Sequence, residues 1–188
     1  MATTFRRCAR RLWLSGALSL GLFAVPCHAQ VAPPDRGVAA PLPPKRSGSE
    51  QASPIYGVTI PAGYRQWQLI APALESAPLN EIRAVLGNAT AIGAYSNGSL
   101  PFPDGTVLVK LAWKQTQSAE FAAASVPGAA TTVQVMVKDS IKYASTGGWG
   151  FGRFIDGRPV DEAQHQTCFA CHEARVKERD FVFTRLAP

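Results

Sequence analysis

Thr106-Val107-Leu108-Val109-Lys110-Leu111-Ala112-Trp113 splits an extended chain into two faces, with Val107, Val109, Leu111 and Trp113 on one and Thr106, Leu108, Lys110 and Ala112 on the other. Period-two alternation in β-branched and aromatic residues predicts a strand. Pro103-Asp104-Gly105 just before it reads as a turn, because Pro fixes φ and Gly relieves the tight geometry. Thr131 to Val137 repeats the pattern, with Val133, Val135 and Val137 facing one way and Thr132, Gln134 and Met136 the other. Gly147 to Phe154 interleaves Gly with Trp149, Phe151 and Phe154, as in a strand whose glycines admit a bulge or a close neighbour. Shorter strands are expected at Trp67 to Ala71, Ile82 to Leu86 and Phe181 to Arg185.

Helical signals are few and short. Asn88 caps a segment running to about Tyr95 with Gly98 beyond its end, and Ser140 to Ala144 reads as one turn. Asp161 to His165 and Glu173 to Glu178 are expected to flank a turn between them. The fold class is therefore α+β: a predominantly antiparallel β-sheet with a few short helices in a single domain.

The turn in question carries the chemistry. Cys168-Phe169-Ala170-Cys171-His172 has the spacing of a c-type haem attachment motif, in which each thiol adds across one haem vinyl group and the adjacent histidine reaches the iron. One covalently attached haem is expected, with Cys168 and Cys171 as its anchors and His172 as the axial metal ligand. A zinc site would need a second Cys or His pair at ligand spacing, and the sequence offers none.

The N-terminus bears on the compartment. Arg6, Arg7, Arg10 and Arg11 precede an apolar run from Leu12 to Val25, and Ala29 supplies a small residue before Gln30, so residues 1–29 read as a signal peptide and point to a periplasm-like destination. That leader takes Cys8 and Cys27 with it, leaving only the two cysteines that haem attachment consumes. Residues 30–54 hold Pro33, Pro34, Pro41, Pro43, Pro44 and Pro54 among small and charged residues and read as a mobile spacer. The domain is expected over 55–188. The chain carries 19 Lys+Arg against 13 Asp+Glu, but four of the arginines lie in the leader, which leaves 15 against 13. A surplus that small gives no footing for a nucleic-acid partner.

On the other side of the iron the candidates are scarce. Beyond the leader the histidines are His165 and His172, and the methionine is Met136. His165, three residues before Cys168, is poorly placed to cross to the distal face and reads as a surface or supporting imidazole. Met136 on a strand reads as core or pocket lining, with ligation to the iron as the alternative that an electron carrier would need. An open distal site, and hence small-ligand chemistry, is the expectation.

Arg65-Gln66-Trp67, Asn80-Glu81-Ile82-Arg83, Phe102 to Val107, Val137-Lys138-Asp139, Gly147 to Phe151, Cys168 to Glu173 and Asp180 to Arg185, in that order, resemble the cytochrome P-460 family across nearly all of 55–188. The resemblance implies an antiparallel β domain, a homodimer, and one C-terminal c-type haem with an exchangeable site opposite its histidine. For the catalytic members it implies oxidation of hydroxylamine together with nitric oxide chemistry, an external redox partner, and a lysine tether to the porphyrin rim. Lys110 matches that lysine, with Lys114 on the same face as the fallback. Arg83 matches a guanidinium that orients the bound nitrogen species; its alternative is an ion pair with Glu81. Where the catalytic members carry a glutamate this chain has Gln134, which cannot take up a proton as a carboxylate does. Similar β-sheet cytochromes c′, which lack the tether, bind gas without turnover, so both readings stand.

Overall fold

The computed structural model of the chain describes residues 51–188. The expected signal peptide and residues 30–50 of the expected spacer lie outside the described residues. Strands β1 (Gln68–Glu75), β2 (Glu81–Gly87), β3 (Val107–Gln117), β4 (Ser125–Lys138), β5 (Trp149–Ile155) and β6 (Arg158–Pro159) form one antiparallel sheet in sequence order. Helix α1 (Ala89–Asn97) links β2 to β3, and α2 (Glu162–Val176) follows the sheet. The expected α+β class, with a mainly antiparallel sheet, is what this architecture shows.

Register assigns the two faces. Lys110 stands opposite Val85 on one side and Gln134 on the other, and Gln134 stands opposite Arg153. Leu108, Met136 and Phe151 form the next row on that face. The opposite face carries Val109, Val135 and Gly152 in one row and Leu111, Val133 and Phe154 in another. Both faces are covered, so alternation here separates two interiors instead of core from solvent. Gly150 and Gly152 on the second face admit close neighbours: a Cβ at Gly150 would run into the ring of Tyr143, and one at Gly152 would meet Phe154 and Val58.

That covering begins before Ile55. Ser53 is 3% exposed, its hydroxyl donates to the Phe151 carbonyl at 2.8 Å and accepts the Val58 N–H at 3.1 Å, so the last residues of the stretch read as spacer are packed.

Two expectations differ from what forms, one for a helix and one for a strand. Asn88 does cap α1, its side chain accepting the Ala91 N–H at 3.0 Å, and Gly98 closes the helix in a left-handed conformation. In contrast, Asp161 caps a single unbroken α2 that runs through the Cys168 to His172 motif. Nothing in the motif breaks a helix, since it contains neither Gly nor Pro. The expected strand at Phe181 to Arg185 is absent; Asp180 and Phe181 take left-handed backbone at φ +50° and +63°, and the segment leaves the sheet pattern.

Candidate functional site

A cavity of about 740 Å³ lies between the first face of the sheet and α2. From α2 it is lined by Gln164, Thr167, Cys168, Cys171, His172 and Arg175, a stripe at helical spacing that turns both thiols and the imidazole to one side. The helix is fixed against β5 by His165. This imidazole is fully buried, its Nε2 accepting the Arg153 N–H at 3.0 Å while Nδ1 lies 2.9 Å from the Asp161 carbonyl. Because β6 is only two residues long, the Arg153 N–H lacks a strand partner, and His165 supplies one. With both nitrogens engaged, His165 holds structure; the surface alternative read from the sequence is corrected.

His172 has one nitrogen engaged. Its Nδ1 lies 2.6 Å from the Phe181 carbonyl, so Nδ1 carries the proton and donates it, leaving the Nε2 lone pair unused. The rings of Phe151 and Phe183 stand edge-on to it, with centroids 5.0 and 4.9 Å away. Burial pushes the His172 pKa below its ordinary 6.5; the Phe181 hydrogen bond opposes this and the Lys110 charge adds to it. A neutral imidazole with a free Nε2 is the form that binds a metal.

The facing wall is charged. Glu75, at the end of β1, accepts from Arg83 Nη1 at 2.6 Å and from Lys110 Nζ at 3.1 and 3.3 Å. All three line the cavity together with Gln134, whose amide donates to Thr132 Oγ1 at 3.1 Å, and Met136. Arg83 thus pairs with Glu75 and not with Glu81, a correction to the expected pair: Glu81 stands opposite Lys114 and forms an ion pair with it, Nζ to Oε1 at 3.6 Å. Lys114 is half-exposed, donates to the Leu79 carbonyl at 2.9 Å and is absent from the cavity wall, so of the two lysines only Lys110 reaches the site.

These residues fit a haem. The volume is within the range of cofactor pockets, about 300–1,000 Å³. Two thiols and a free imidazole nitrogen share one helical face, and Val85, Leu108, Phe151, Val182 and Phe183 give the walls apolar surface. Burial raises the Cys168 thiol pKa, with the Arg153 charge pulling the other way. Arg153 Nε is buried without a hydrogen-bond partner at the same cavity, and a carboxylate such as a haem propionate is what it lacks.

Among the residues that the sequence reading missed, Glu75 matters most. Its signal was weak, a single carboxylate in Ala73-Leu74-Glu75-Ser76, and only strand pairing brings it to Lys110, 35 positions away. Phe181, whose carbonyl holds His172, was read as the start of a strand, and Asp180 just before it had no structural role assigned.

The model of the family described as Cytochrome P460 matches residues 61–184 of the chain. No curated protein matches it.

Proposed function

Because the chain belongs to the cytochrome P460 family and is therefore a haem-binding cytochrome, we propose that it is a periplasmic mono-haem protein that binds and oxidises small nitrogen compounds, hydroxylamine and nitric oxide among them. Cys168 and Cys171 would hold the haem by thioether bonds and His172 Nε2 would coordinate its iron. The observation that carries this reading is the pairing of walls: a free imidazole nitrogen with two thiols on α2, and the Arg83–Glu75–Lys110 cluster on the sheet across the same cavity.

When bound, the haem would supply a redox-active iron able to bind a nitrogen ligand and take up electrons from it. The chain's own residues do the rest. Arg83 donates to the oxygen or nitrogen of the ligand and orients it. Glu75 takes the N–H protons that Gln134 cannot accept, since a carboxylate has a basic lone pair and an amide does not. Electrons leave to an external redox partner, and a homodimer is the working assembly.

A second reading, nitric oxide binding without turnover, is favoured by the ion pair that holds Lys110 on Glu75, because a protonated amine is not a nucleophile for a porphyrin tether. One set of measurements separates the two. A strongly red-shifted Soret band in the ferrous protein, with hydroxylamine-dependent reduction of an electron acceptor, is expected for the tethered enzyme. An ordinary c-type spectrum, with nitric oxide bound and no acceptor reduced, overturns the catalytic reading.

A further inference from the structure

Lys138, the last residue of β4, and Asp180, beyond the end of α2, form an ion pair whose side chains are only 6% and 8% exposed and that takes no part in lining the cavity. Lys138 Nζ donates to the two Asp180 oxygens at 2.7 and 2.8 Å and to the Gly147 carbonyl at 3.0 Å, and it lies 5.1 Å from the centroid of the Trp149 ring. Asp180 Oδ2 also accepts the Phe102 N–H at 2.9 Å. Every donor and acceptor in this arrangement is directed. A buried pair of this kind is weak support for stability in itself, because desolvation of two charges offsets much of their attraction.

What the pair does fix is the path of the backbone. Asp180 and Phe181 are both left-handed, φ +50° and +63°, a conformation that Asp tolerates but that a bulky residue such as Phe181 takes up only when its surroundings hold it. That path delivers the Phe181 carbonyl to His172 Nδ1 at 2.6 Å. The loop on the other side is shaped for the same contact. A Cβ at Gly147 would run into the Phe181 ring, and one at Gly148 would stand 3.2 Å from Lys138 Cε.

We infer that the Lys138–Asp180 clasp is a positioning device for the haem ligand, holding the Phe181 carbonyl on His172 Nδ1–H and thereby setting how strongly Nε2 donates to the iron. This rests on the reading that His172 is the axial ligand. A short Nδ1–H···O bond gives the ring imidazolate character, raises its basicity, and favours the ferric state. Neither Lys138 nor Asp180 touches the cavity, so both act through the backbone between them and the ring.

The test uses the haem-loaded protein and its Fe–His stretching band in the ferrous five-coordinate form, with the midpoint potential as a second readout. Lys138→Met leaves Asp180 buried without its cation. The double variant Lys138→Met/Asp180→Asn removes both charges and keeps an acceptor for Phe102 N–H, so the readout survives even if the single variant loses its fold. In either, the band is expected to fall in frequency and the potential to rise, while Lys138→Arg, which retains the pair, keeps both near wild type. A folded variant with lower stability but an unmoved band and potential overturns the inference. A wild-type protein lacking any Fe–His band would instead refute His172 ligation, a separate failure.

Discussion

The two walls of the cavity are built by different means. On the α2 side, positions are set by backbone groups: His172 is held by a main-chain carbonyl, His165 by a main-chain N–H, and the supporting ion pair is almost fully buried. On the sheet side, Glu75, Arg83 and Lys110 are held mainly by one another, each with side-chain exposure of 20% to 25%. Backbone partners cannot re-pair without moving an element, whereas partly solvated side chains exchange partners at little cost. One wall is therefore suited to hold a group in a single pose, and the other, on the proposed function, to follow a ligand whose charge and protonation change.

Removing the rigid wall's central contact should have the largest effect. In His172→Ala the thiols remain for covalent attachment, so haem should stay with the polypeptide on a denaturing gel while the histidine-ligated spectrum disappears. If the ligand-binding spectra are unchanged, His172 is not the axial ligand and the two walls do not have these roles.

Glu75→Gln tests the adaptable wall. The amide preserves shape but takes up no proton, and general base catalysis contributes about 10²–10⁴-fold in rate. Hydroxylamine oxidation should fall by about that much while nitric oxide affinity stays near wild type. A parallel loss of affinity would mean that Glu75 only holds Arg83 and Lys110 in place, and an unchanged rate would assign the proton to another group.

The difference between the walls also explains which parts were legible from sequence. The strand cores of β3, β4 and β5 followed from alternation, the Asn88 cap from its side-chain chemistry, and the Cys168 to His172 motif from local spacing, because each signal lies within a few residues. Glu75 meets Lys110 only through the pairing of β1 with β2 and β2 with β3, which no local pattern encodes. Phe181, Val182 and Phe183 imitate a strand because their apolar side chains serve the packing around His172 and the core behind it, while their backbone bonds run back to Val176 and Arg179. The unbroken α2 is hidden for a simpler reason: two cysteines and a histidine this close suggest a turn, although positions 168, 171 and 172 share one helical face.

Tyr95 gives the mildest test, since it ties α1 to the tail beside His172 and leaves the sheet wall alone. Its hydroxyl donates to the Thr184 carbonyl at 3.0 Å, a bond whose loss in Tyr95→Phe is expected to lower stability by about 1 kcal/mol. Burial, opposed in part by the Arg179 charge, pushes the Tyr95 pKa up from 10.0 to about 12. A raised folded-state pKa contributes stability that is complete below the unfolded value of 10.0 and is lost as pH rises through about 12, because the unfolded chain releases the proton first. The wild-type advantage over Tyr95→Phe should therefore be constant through neutral pH and shrink above pH 10, measured by denaturant unfolding at about pH 8 and about pH 11. An advantage of the same size at both would show that the phenol is not held neutral by burial, and that this side of the cavity is more open to solvent than its packing indicates.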